Sequence, residues 1–166
     1  QRSAPLELWH TFVPQEMSVQ QIDSTDWAQY LKHEAEVMES VRTQVTQKLA
    51  ARTQTAGNRY FEGSPMHYGR LAHDWNRSFV LQPKTKPIGA VVLLHGLTDS
   101  PYSIQRIAQE YTAHGFVAVG VRLPGHGTVP AGLVKAQWED WMAATRLAVR
   151  EAQTHIDATM PLHVVG

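Results

Sequence analysis

A histidine and a glycine that cut short an apolar run are the first residues in this chain with the placement to do chemistry. In AVVLLHGLTDSPYS, residues 90–103, the run Val91, Val92, Leu93, Leu94 stops at His95-Gly96, passes Leu97-Thr98-Asp99 and restarts at Ser100-Pro101. Ser100 is placed to cap a helix and Pro101 to occupy its first position. Such a strand–turn–helix unit exposes backbone N–H groups at the carboxyl end of a strand and beside a helix start, where they can hold a negative charge. A second loop, RLPGHG at residues 122–127, sets His126 between two glycines after another apolar run. A histidine there can line a pocket, and the glycines serve the turn.

The remaining polar residues do not assemble into other recognisable sites. Nine histidines invite a metal reading, yet no HExxH or paired His–carboxylate spacing occurs, so no metal and no cofactor is expected. Neither GxGxxG nor a Walker lysine is present to hold a phosphate. The absence of cysteine removes disulfide and thiolate chemistry. Fifteen basic residues balance fifteen acidic ones, which argues against binding to nucleic acid. No run reaches the roughly 18 apolar residues of a membrane span, and membrane association is left open.

The elements that must position the two loops follow from apolar periodicity. Residues 1–22 carry scattered apolar side chains broken by Pro5 and Pro14 and read as an extended arm. After the capping run Asp23-Ser24-Thr25-Asp26, apolar residues at Trp27, Leu31, Ala35, Met38, Val41, Val45 and Leu49 predict one amphipathic helix over residues 25–52. Residues 60–74 read as loop and residues 78–82 as a strand. The unalternating run at 91–94 predicts a strand covered on both faces, as in a parallel sheet between helices. A helix from Ser100 buries Ile104, Ile107, Ala108 and Tyr111 and stops at Gly115. A second buried strand spans residues 116–121. A helix over residues 136–155 puts Trp138, Met142, Thr145, Val149 and Ala152 inward, and a third buried strand covers residues 162–165. Strand, helix, strand, helix, strand with long connections specifies a three-layer α/β domain with right-handed crossovers. The expected division is an arm and helix over residues 1–59 and an α/β unit over residues 60–166.

VVLLHGLTDSPYS, then VRLPGHG one crossover later, then a Trp-bearing helix and a strand ending VVG together resemble the N-terminal half of an α/β-hydrolase, of the carboxylesterase, monoacylglycerol lipase and lysophospholipase-like kind. The resemblance covers residues 78–166. It implies a mostly parallel α/β-hydrolase sheet flanked by helices, here with an N-terminal helical extension, and hydrolysis of a small acyl-ester substrate. It makes the Leu97 N–H one half of an oxyanion hole, with Gly96 allowing close approach, His95 bracing the loop, and Thr98 and His126 at the pocket. Gly166 falls where the nucleophile elbow G-x-S-x-G begins. The serine, acid and histidine of a triad would then lie in a C-terminal half, and the chain is expected to be a fragment or one piece packed against that half. Epoxide hydrolases and haloalkane dehalogenases share the fold but carry proline soon after His-Gly, where this chain has Leu97-Thr98-Asp99. Two alternatives stay open: a C–C or amide hydrolase, and a non-catalytic binding module.

Overall fold

The computed structural model describes residues 5–166; the first four residues of the predicted arm lie outside it. Four strands form one mixed sheet in the order β1-β3-β2-β4: β1 (Phe79–Leu81), β2 (Gly89–Leu94), β3 (Phe116–Val121) and β4 (Leu162–Val165). β2 lies between β3 and β4 and is parallel to both, whereas β1 runs antiparallel to β3. Val91, Val92 and Leu93 are wholly buried, because a central strand has covered faces and two neighbours. Alternation along the strands then divides the core. Val92, Val117, Val119 and Val121 face α6 (Trp138–Thr154), and Val91, Leu93 and Ala118 face α4 (Gln105–Ala113). This is the expected three-layer α/β arrangement with an N-terminal helical extension.

Over its described residues the N-terminal arm is not extended throughout. It forms two short helices, α1 (Leu8–Thr11) and α2 (Val19–Ser24), the second closed by a reciprocal capping pair between Ser18 and Gln21. The following helix, α3 (Trp27–Gln44), is capped by the Asp26 carboxylate on the Gln29 N–H at 2.8 Å, and it ends well short of residue 52. Ser40 and Thr43 hydroxyls there donate to the carbonyls of Val37 and Ser40, and β-branched Val45 and Thr46 follow, which together disfavour another turn of α-helix. Its buried stripe is also rotated from the expected one: Tyr30, Glu34 and Val37 are inside, Ala35 is outside, and Leu31 is only half-buried. Ile22, Trp27 and Tyr30 join Val92, Val119 and Leu147 in one core, so the N-terminal segment covers the α6 side of the sheet.

Other expectations are corrected in the same way. Ser100 makes no capping bond; its hydroxyl donates to Asn76 Oδ1 at 2.8 Å, and Pro101–Ile104 form a 3-10 turn before α4. Ile107 is exposed, whereas Ile104 and Ala108 are buried, and Gly115 stops α4 with φ +89° as expected. A further helix, α5 (Pro130–Lys135), precedes α6. The inner face of α6 is Ala143, Ala144, Leu147, Ala148 and Ala152, while Trp138 and Met142 point to solvent, since small alanines let a helix lie close on a sheet. Among the described residues β4 pairs on one side only, with β2, and His163 and Val164 are exposed where a buried strand is expected.

Candidate functional site

The parallel strands β2, β3 and β4 end level, Leu94 opposite Val121 and Leu93 opposite Val165, so the segments that follow them emerge at one end of the sheet. That end holds the His95 loop, the RLPGHG loop and Gly166. A Cβ on Gly166 would stand 3.2 Å from Leu94 Cβ, so the backbone leaving β4 starts beside the His95 loop.

His95 is buried and fixed from both sides. The Leu123 N–H can only donate, and it does so to His95 Nε2 at 3.1 Å; Nδ1 therefore carries the proton and donates to the Gly96 carbonyl at 3.1 Å. Burial lowers its pKa to about 4 against the opposing pull of the Gly96 bond, with the neighbouring His126 and Arg122 pushing the same way as burial. The ring is neutral at pH 7 and braces the loop. The Gly96 carbonyl also accepts the Asp99 N–H at 3.1 Å, and the Asp99 carboxylate accepts the Ser100 N–H at 2.8 Å.

His126 holds the next peptide. Its Nε2 lies 2.7 Å from the Leu97 carbonyl and its Nδ1 3.1 Å from the Pro124 carbonyl, which also accepts Trp141 Nε1–H at 3.1 Å. The ring is wedged edge-on between His95 and Trp141, with centroid separations of 4.9 and 5.4 Å. The carbonyls of Gly96 and Leu97, on either side of the Leu97 N–H, are thus both anchored by imidazoles. Among the described residues the Leu97 N–H itself has no acceptor. Neither φ nor a neighbour demands a glycine at position 96: nothing lies within 4 Å of where its Cβ would stand, and that face is open.

A cavity of about 330 Å³ opens beside this loop, walled by Leu97, Thr98, His126, Thr128, Asn76 and Tyr60. Thr128, in its wall, has its Oγ1 buried without a hydrogen-bond partner among the described residues. Gly127 has φ +70° and passes Asn76 so closely that a Cβ would stand 2.9 Å from the Asn76 carbonyl. No cluster of three or more His, Cys, Asp or Glu suited to a metal occurs among the described residues.

Among known proteins, the thermostable monoacylglycerol lipase of Bacillus sp. (strain H-257) is 36% identical over 58 residues, 35% of this chain. The chain resembles the α/β-hydrolases. A solved structure from work on LipS and LipT, two metagenome-derived lipolytic enzymes, aligns with TM-score 0.48 and 27% identity over 54% of this chain. These matches span 23% of the lipase and 34% of the solved chain, so the chain covers well under half of either relative's length. No family model matches it.

Sequence reasoning missed the residues that hold the loops from behind. Arg122 is the largest fully buried side chain, and Glu34 is 2% exposed. A charged residue directly after the apolar run of β3 was the only signal at Arg122; Glu34 sits among polar neighbours and carried none.

Proposed function

We propose that this chain supplies the oxyanion-binding half of a lipase- or esterase-like hydrolase of carboxylic esters. The observation that carries the reading is the unpaired Leu97 N–H between two anchored carbonyls, at the carboxyl end of a central parallel strand. Attack on an ester carbonyl places a full negative charge on oxygen, and a fixed donor there stabilises it by about 3 kcal/mol. Anchoring in advance matters because a donor that must reorient during the reaction loses part of that gain. On this reading a serine following Gly166 attacks, a histidine takes its proton and passes it to the leaving alcohol, and an acidic residue orients that histidine. Water then cleaves the acyl-enzyme to the carboxylic acid. On this reading none of these three groups is assigned to residues 5–166. The cavity beside Leu97 takes the ester. The division of the chain at residue 59 then separates a supporting segment from the part that holds the oxyanion loop.

The test is turnover of p-nitrophenyl esters of increasing acyl length by the intact protein, beside a matched anilide. Ester hydrolysis faster than anilide hydrolysis is expected. No ester turnover, or faster cleavage of the anilide, overturns the reading.

A further inference from the structure

Arg122 closes β3 with a side chain only 1% exposed, and the groups that receive its charge come from the N-terminal segment. Glu16, between α1 and α2, takes a two-pronged contact, Nη1 to Oε1 at 2.7 Å and Nη2 to Oε2 at 2.9 Å. Glu34 of α3 accepts from Nε at 3.2 Å. Burial would raise the Glu16 carboxyl, but the Arg122 charge and hydrogen bonds, with the Gly125 N–H, outweigh it and hold it below the ordinary carboxylate value. Tyr30 donates to the Arg122 carbonyl at 2.7 Å; Ser78 accepts the Arg122 N–H at 2.8 Å and donates to Glu34 at 2.6 Å.

Two bonds of this network leave it for the RLPGHG loop. Glu16 Oε1 accepts the Gly125 N–H at 2.9 Å, and Arg122 Nη1 donates to the His126 carbonyl at 2.9 Å. The backbone is therefore pinned at the residue before His126 and at His126 itself, and the His126 ring in turn holds the Leu97 carbonyl. A buried ion pair is by itself weak evidence for stability, because desolvation offsets much of the attraction. What a planar guanidinium between carboxylates adds is direction, because its fork allows few geometries.

We propose that Glu16 is a positioning residue for the Leu97 N–H, acting through Arg122, Gly125 and His126, so that the N-terminal segment outside the family resemblance is part of the active-site scaffold. The proposal rests on the ester-hydrolase reading for its chemistry but not for its structural relay, and two measurements separate them.

The first is hydrogen–deuterium exchange on the intact protein, at a temperature where the variants keep the wild-type far-UV circular dichroism. Asp99 and Ser103 N–H report on residues 95–103; Leu123, Gly125 and His126 N–H report on residues 122–128. Glu16→Gln is expected to speed exchange in both segments. His126→Phe, which keeps an aromatic wedge but removes the donor, is expected to speed exchange in residues 95–103 more than in 122–128. Wild-type protection of residues 95–103 in both variants overturns the relay. The second is ester turnover: Glu16→Gln should lower kcat by about tenfold to a hundredfold with KM within about twofold, the signature of a misplaced reacting group. Unchanged kcat in a variant with altered exchange overturns the positioning role. Absence of turnover in the wild type refutes the hydrolase reading alone, and exchange then decides the relay.

Discussion

Replacing His95 with glutamine should flatten the acid limb of the stability curve. Burial disfavours the charged ring and holds His95 at about pKa 4 in the folded protein, against an ordinary value of 6.5, and the Leu123 N–H already occupies the Nε2 lone pair that a proton would need. The sign follows from proton counting. Between pH 6.5 and 4 the unfolded chain binds a proton that the folded protein refuses, so stability rises with pH across that window. Above 6.5 the contribution is fully present; below 4 both states are protonated and the loss is complete. The gap of 2.5 pKa units corresponds to about 3 kcal/mol. Glutamine can still accept from Leu123 and donate to Gly96 but does not titrate. Urea denaturation of both proteins from pH 7.5 to pH 4 gives the difference in unfolding free energy directly, and other titrating groups, Glu16 and His67 among them, cancel. The wild type should lose about 3 kcal/mol more than the variant across the window. Parallel curves would refute the assignment of a neutral, doubly bonded His95.

Two further substitutions probe the scaffold. Ser78→Ala removes a hydroxyl that donates to Glu34 and accepts from Arg122, leaving buried polar groups short of partners; a loss of about 2 kcal/mol is expected in chemical denaturation, and less than about 0.5 kcal/mol counts against the network. Gly127→Ala forces a side chain into a φ of +70° and against the Asn76 carbonyl, so about 1–3 kcal/mol should be lost in the same measurement.

The parts of the fold legible in the sequence were those set by local pattern. β2 and β3 stood out as unbroken apolar runs, the run Asp23–Asp26 as capping residues and Gly115 as a helix stop. The two site loops were legible because glycine and proline punctuate the chain where strands end. Patterns that depend on a neighbour were not legible. β4, Leu162-His163-Val164-Val165, is mostly apolar like β2, yet its exposure is decided by how many strands pair with it. In α6 the large side chains Trp138 and Met142 suggested the inner face, while the close approach to the sheet selected the alanines. In α3 a glutamate took the place of an alanine inside.

The sequence by itself determined that a strand would end in a His-Gly turn, because hydrophobic runs and turn residues act over a few positions. Only the tertiary structure decided what holds that turn still. Arg122 joins residues 106 positions away at Glu16 and 88 away at Glu34, and His126 reaches 29 back to Leu97. A buried guanidinium is tolerated only where carboxylates converge on it from separate elements, and no local pattern records that convergence.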